Sequence, residues 1–258
     1  MAYNQSIERL ISIMDELRTQ CPWDKKQTIH SLRLQTIEEL YELADAIDKT
    51  DWQGIKEELG DILLHIVFYA RIAREEQAFT LGEVIEGVCN KLVRRHPHIY
   101  SSTVVENEEQ VKKNWEQLKL KEGKKSVMSG VPDALPAVVK ATRLQEKAKQ
   151  VGFEWDDSSG AYEKIKEELE ELGAEVRAGN KQKMEQEFGD MMFSMINYAR
   201  YLQIDAEAAL EQTNRKFKSR FQQMEALAAA RGLNLASLPL TEQDELWNEA
   251  KAIGQAQE

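Results

Sequence analysis

The sequence predicts an all-α protein built as two tandem helical-bundle domains, and three observations carry that reading. Only 13 Gly and 5 Pro are spread over 258 residues, too few for a protein of short strands and tight turns. Long stretches rich in Glu, Lys, Leu, Ala and Gln favour helices. The chain also aligns with itself at a shift of about 129 positions, the mark of an internal duplication.

Taken in order, residues 1–17 form an amphipathic helix with Ile7, Leu10, Ile11, Met14 and Leu17 on one side. The first copy follows, with helices over 29–47, 55–76 and 81–95 and a break at 49–52. A linker over 121–136 contains Gly123, Lys124, Lys125, Gly130, Pro132 and Pro136. The second copy repeats the pattern with helices over 162–177, 181–202 and 206–231, the first two separated by Ala178, Gly179 and Asn180. A last helix covers 241–251, with Thr241 as N-cap and Asp244 at the capping-box position. The expected domains are thus 1–120 and 137–258, joined by 121–136.

The duplication is detailed. Glu38-Glu39-Leu40-x-Glu42-Leu43 matches Glu167-Glu168-Leu169-x-Glu171-Leu172, and Glu58-Leu59-Gly60-Asp61 matches Glu187-Phe188-Gly189-Asp190. Tyr69-Ala70-Arg71 falls on Tyr198-Ala199-Arg200. After a loop about four residues shorter in the second copy, Lys91 falls on Lys216 and Arg95 on Arg220. Trp23-Asp24 pairs with Trp155-Asp156 at a slightly different offset.

Charge narrows the function. A net charge of −11 disfavours binding to a nucleic-acid polymer, which needs clustered cations to displace counterions. It leaves nucleotides open, because a divalent metal bridges carboxylates to phosphates. Cys21 and Cys89 lack CxxC spacing, so neither a disulfide framework nor a zinc site is expected. The N-terminal segment lacks the apolar run of a signal peptide and no stretch is long enough to span a membrane; cytoplasm is the expected compartment.

The acids carry the chemistry. Residues three apart share a helix face, so Glu168 and Glu171 project together, as do Glu187 and Asp190. Folding the two helices back at Gly179 brings all four toward one groove, where four carboxylates with no lysine between them repel unless a cation sits there. Oxygen ligands suit Mg²⁺, with Mn²⁺ as a substitute. A carboxylate not fully used as ligand is a candidate general base. Gly189 inside a helix suggests close approach of a helix or ligand, and the flanking Leu169, Leu172, Phe188, Met191 and Met192 place the acids near the buried side. A di-iron centre needs Glu-x-x-His on two helices; His65 has only Ser194 as counterpart, so iron is disfavoured. On one copy alone, an ExxE pair is more often a solvated helix face.

The ExxE and ExxD pairs, with fifteen residues between them, resemble the signature of the MazG-type nucleotide pyrophosphohydrolases, in the all-α NTP pyrophosphatase superfamily. The segments Cys21-Pro22-Trp23-Asp24-Lys25-Lys26-Gln27-Thr28, Arg94-Arg95-His96-Pro97-His98 and Gly152-Phe153-Glu154-Trp155-Asp156 resemble marks of its two-domain members. The resemblance implies Mg²⁺-dependent hydrolysis of nucleoside triphosphates, ATP among them, to monophosphate and pyrophosphate, with broad base preference, and a homodimer that completes the bundles. It implies that the second copy is catalytic, with Glu168, Glu171, Glu187 and Asp190 as metal ligands. It places Lys216, Arg220, Trp247, Lys251 and the segment from Lys164 at the nucleotide.

The residue types agree: Lys216 and Arg220 share a helix face suited to phosphates, and Trp247 can stack on a base or anchor helix packing. The first copy keeps Glu39, Glu42, Glu58, Asp61, Lys91 and Arg95, followed by Trp115 and Lys119, so it is either a second site or a packing unit with relict acids. Two rival readings are a non-catalytic helical module that binds a metal or a partner, and a pyrophosphatase confined to dUTP, dCTP or damaged nucleotides.

Overall fold

The computed structural model describes residues 3–101 and 126–255, together with 105, 107, 110, 111, 114 and 115. Among the described residues there are ten α-helices and no strand: α1 Tyr3–Gln20, α2 Ile29–Asp48, α3 Trp52–Glu75, α4 Leu81–Arg95, α5 Pro97–Tyr100, α6 Ala137–Lys149, α7 Ser158–Ala178, α8 Lys181–Tyr201, α9 Ala206–Ala230 and α10 Leu240–Gln255. The all-α reading is correct. The chain divides into two compact units, Met1–Val111 and Lys112–Glu258. The expected domain edge at 120 and residues 121–125 of the expected linker lie outside the described residues, and 126–136 form turns and bends.

In the first unit, α2 starts on a reciprocal cap. Thr28 Oγ1 accepts from the Ser31 N–H, and Ser31 Oγ accepts from the Thr28 N–H. It stops where Thr50 adopts a left-handed φ of 54°, and Asp51 then caps α3 by accepting from the Gln53 and Gly54 N–H groups at 3.1 Å each. That cap starts α3 three residues before the expected 55, since an aspartate with two free N–H groups ahead of it nucleates the first turn. So short a connection makes α2 and α3 an antiparallel hairpin. The core gathers Met14, Leu32, Val67, Phe68 and Ile72, drawing α1 onto the hairpin. Arg18 of α1 reaches Glu75 and also donates to the Asp24 and Gln27 carbonyls, fixing the Asp24–Lys26 turn.

The second unit repeats this plan. Asp157 caps α7 at the Ser159 N–H, 2.8 Å away. Gly179 ends it at φ +70°, the left-handed position that favours glycine, and Asn180 caps α8. Among the described residues the pairing of α7 with α8 is the most extensive, and α6 packs on α8. Gln145 of α6, buried, donates to the Phe193 carbonyl at 2.7 Å. Finally α9 and α10 pair around Met224, Ala228, Leu246 and Ala250.

The start of α10 corrects an expectation. The helix begins at Leu240, and the Pro239 carbonyl accepts from the Glu242 and Gln243 N–H groups at 3.1 Å each. Thr241 therefore sits inside the first turn and is not the N-cap. Proline ahead of the first turn fixes φ without needing to donate, and the helix starts two residues earlier than a cap at Thr241 would allow.

Candidate active site

In the second unit the α7–α8 hairpin brings Glu168, Glu187 and Asp190 together. One carboxylate oxygen from each lies within 4.8 Å of the other two. Glu171, four-fifths of a turn from Glu168, groups instead with Glu168 and Glu167 at the same range. Its charge still reaches Glu187: burial first, then Glu171, Asp190, Glu168 and Glu175 in turn, push the Glu187 carboxyl above the usual range.

Three expectations about this groove need correction. Glu168 is buried, 4 % exposed, but Glu171 and Asp190 are exposed and so are their apolar neighbours Leu169 and Phe188. Leu172, Met191 and Glu187 are half-buried, so only part of each apolar run marks a face left open in the single chain. Gly189 has nothing within 4 Å of where a Cβ would stand, so no helix of the described residues presses on it. A lysine is also present: Lys164 Nζ lies 2.6 Å from Glu168 Oε1 and 2.7 Å from Glu167 Oε1. The expected absence of a neutralising lysine overlooked position i−4, which shares the face as well as i+3 does. These pairs hold the Lys164 ammonium well above its usual range.

The first unit builds the same triad from Glu39, Glu58 and Asp61, again within 4.8 Å. Its repulsion is relieved differently. Glu39 and Glu58 share a hydrogen bond, and both carboxyls are pushed up, by burial first and then by the surrounding acids. An open cleft lined by Tyr41, Glu42, Asp45, Lys49 and Glu58 borders it. Behind it, His65 Nδ1 and Tyr69 OH lie 3.0 and 2.7 Å from Thr36 Oγ1. Burial pushes the His65 imidazole below its usual range, against the pull of Asp61.

The basic and aromatic residues of the second unit sit on α9 and α10. Lys216 and Lys251 are exposed and Arg220 is half-buried. Trp247 rests on the α9–α10 core and on Phe217, whose ring centroid is 5.2 Å away at 45°. No hydrogen bond or ion pair among the described residues joins Lys216, Arg220 or Lys251 to the four acids. In the first unit Lys91 is exposed and Arg95 half-buried; Trp115, past that unit's edge at Val111, is half-buried, and Lys119 lies outside the described residues.

The donor set is all oxygen, one buried acid and two reachable ones, from two rigid helices. That fits a hard divalent cation such as Mg²⁺, which keeps waters and shares them with phosphates. The MazG nucleotide pyrophosphohydrolase domain matches this chain twice, over residues 27–100 and 158–224.

The chain belongs to the MazG nucleotide pyrophosphohydrolase family. As a member it is an enzyme, a nucleotide pyrophosphohydrolase. It is 47% identical over 249 residues to the nucleoside triphosphate pyrophosphohydrolase/pyrophosphatase MazG of Thermotoga maritima, covering 95% of both chains. The nucleoside triphosphate pyrophosphohydrolase of Escherichia coli is 38% identical over 254 residues, covering 95% of this chain and 97% of its own. A solved structure of a mazG-related protein from Thermotoga maritima matches 44% of this chain and 98% of its own, at 29% identity and a TM-score of 0.40.

Both acid triads lie inside the matched MazG segments, as do Lys164, Lys216, Phe217 and Arg220. Trp247 and Lys251 lie beyond them, on the helix that closes the second unit. Sequence reasoning missed Phe217. Its signal was a large aromatic between Lys216 and Arg220, left 58 % exposed in the folded chain.

Proposed function

We propose that the second unit hydrolyses nucleoside triphosphates to monophosphate and pyrophosphate with a divalent cation, Mg²⁺ or Mn²⁺, held by Glu168, Glu187 and Asp190. The observation that carries this is the convergence of those three carboxylates from two antiparallel helices inside a matched MazG segment. When bound, the cation would neutralise phosphate charge and lower the pKa of a coordinated water. Glu171, exposed and outside that triad, is the carboxylate left to accept a proton from the attacking water. Lys216 and Arg220 offer charge-assisted donors to the phosphates, with Lys251 as a further cation. Trp247 and Phe217 offer a π surface on which any base can stack, which supports broad base preference and a role in cleaning the nucleotide pool.

The first unit's triad supports a second cation site there, with Lys91 and Arg95 in the places of Lys216 and Arg220. A homodimer accounts for the apolar face: Leu40, Leu59 and Ile66 are exposed, and so are Leu169, Phe188 and Met195 at the matching positions of the second copy. The net charge of −11 suits a small phosphate substrate and not a nucleic-acid polymer. No helix of the described residues is long and apolar enough to cross a membrane. Two free cysteines, Cys21 and Cys89, suit the reducing cytoplasm.

The test is a panel of NTPs and dNTPs with Mg²⁺, reading pyrophosphate and orthophosphate separately for the natural chain and for Glu187→Gln and Asp190→Asn. Pyrophosphate release lost in both variants is expected. Orthophosphate as the product would place cleavage at another bond. Wild-type turnover in both variants would remove the metal assignment.

A further inference from the structure

Lys164 occupies the place where the cation's charge is needed. Glu168 is the one buried acid of its triad, 4 % exposed, and a buried carboxylate needs a counter-charge. Lys164, one turn earlier on α7, supplies it through the 2.6 Å contact to Oε1 while also touching Glu167. A divalent ion on Glu168, Glu187 and Asp190 would stand within a few ångströms of that ammonium, and like charges so close repel strongly in a partly buried groove. The lysine and the cation therefore compete for one carboxylate.

The duplication supplies a built-in comparison. At the shift of 129 that aligns α7 with α2, Lys164 falls on Gln35. Gln35 has no charge, and its buried Oε1 has no hydrogen-bond partner. Glu39, the counterpart of Glu168, turns to Glu58 instead. The two triads have the same acids and the same spacing, and differ in whether a lysine is already seated.

We propose that Lys164 is an exchangeable counter-ion that makes cation loading of the second unit depend on nucleotide, while the first unit, with Gln35, loads independently of it. The inference rests on the cation site proposed above. Without nucleotide the ammonium holds Glu168 and weakens cation binding. A triphosphate offers the same ammonium a more highly charged partner. Lys164 is partly exposed and its stem is flexible, so it turns from Glu168 to the phosphate and leaves the carboxylate free. Cation and nucleotide then strengthen each other's binding, reciprocally, as linkage requires. Lys164 acts here as a positioning residue.

The experiment uses the full chain carrying Glu39→Gln and Asp61→Asn, so that only the second triad is read. Mn²⁺ binding is measured by titration calorimetry or electron paramagnetic resonance, with and without a saturating non-hydrolysable α,β-methylene nucleotide. Lys164→Gln, which recreates the first unit's pattern, and the isosteric Lys164→Met are compared with the parent. Both variants are expected to bind Mn²⁺ more tightly without nucleotide, on the order of fivefold or more, and to change by less than about twofold with it. The nucleotide is expected to bind them more weakly. Equal Mn²⁺ affinity in parent and variants under both conditions would overturn the counter-ion role and leave the cation site standing. Weaker Mn²⁺ binding in both variants would also overturn it. No saturable Mn²⁺ binding by the parent or by either variant would overturn the site and the proposal together.

Discussion

Arg18 and Glu75 form a two-pronged ion pair that ties α1 to the end of α3, with Nη2 2.8 Å from Oε2 and Nε 3.0 Å from Oε1. Glu75 also takes Arg71 at 2.8 Å, and Arg71 and Arg74 both reach Asp15 of α1. The hydrogen bond from Arg18, ahead of the charges of Arg18 and Arg71, holds the Glu75 carboxyl below its usual range. A depressed folded-state pKa adds stability above the unfolded value, and that stability is lost as pH falls through the folded one. His65, also depressed, acts in the same direction: once pH falls below its usual range, the unfolded state takes up the proton more readily. Acidification should therefore remove the His65 contribution through the histidine range and the Glu75 contribution from the carboxylate range downward, opposed by Glu39 and Glu58, whose raised carboxyls favour the folded first unit as pH falls through their range. Glu75→Gln should cost on the order of 1 kcal/mol at neutral pH, allowing for solvent screening, and should flatten the acid limb alone. Urea titrations of both proteins across pH check this; parallel curves would contradict it.

Two helical glycines should respond to alanine with opposite signs. A Cβ on Gly160 would stand 2.4 Å from two ring atoms of Trp155, whose carbonyl accepts from Tyr201 OH at 2.8 Å. Gly160→Ala should displace the indole and destabilise the second unit by about 1–3 kcal/mol. Gly189 faces open space, so Gly189→Ala should stabilise α8 by up to about 1 kcal/mol. Thermal unfolding of the two variants decides it. A loss at Gly189 would mean that something outside the single chain, such as a second copy, comes close there.

The helix pattern and both acid pairs were legible because helical periodicity and i, i+3 spacing are local properties of the chain. The breaks were legible too, since Gly179 is the residue a left-handed cap favours. What lay outside local reading was charge balance and burial. Position 164 lies on the acid face, yet whether its lysine pairs with Glu168 or points to water depends on rotamers that spacing leaves open. Leu169 and Phe188 look like core residues from composition, but they are exposed in the folded chain. Thr241 failed as a cap because Thr and Pro both fit a helix start, and the proline decided.

Phe217 should separate binding from chemistry. It is 58 % exposed and touches Trp247 without being part of the α9–α10 core. Phe217→Ala should raise KM for all four bases by roughly the value of one stacking contact, about 1–3 kcal/mol or about fivefold to a hundredfold, with kcat little changed. Trp247→Ala should do the same and also lower Tm, since that ring packs on the core. An unchanged KM in Phe217→Ala would put the base elsewhere.

Glu171 and Glu187 should fail in different ways when neutralised. Glu187 belongs to the triad with Glu168 and Asp190, whereas Glu171 groups only with Glu168 and Glu167 on its own helix. Its charge nevertheless acts on Glu187 more than any other acid does, so it borders the same groove. A carboxylate in that position is better placed to take a proton than to hold a cation, and general-base removal costs about 10²–10⁴ in rate. Glu171→Gln should therefore lower kcat by about that factor while keeping Mn²⁺ affinity within a few fold. Glu187→Gln should weaken Mn²⁺ binding itself, and raising Mn²⁺ should restore part of its rate. Parallel measurements of Mn²⁺ binding and pyrophosphate release distinguish the two. If Glu171→Gln loses Mn²⁺ as completely as Glu187→Gln, then all four acids are ligands and the proton acceptor must be sought among the groups that bring the water.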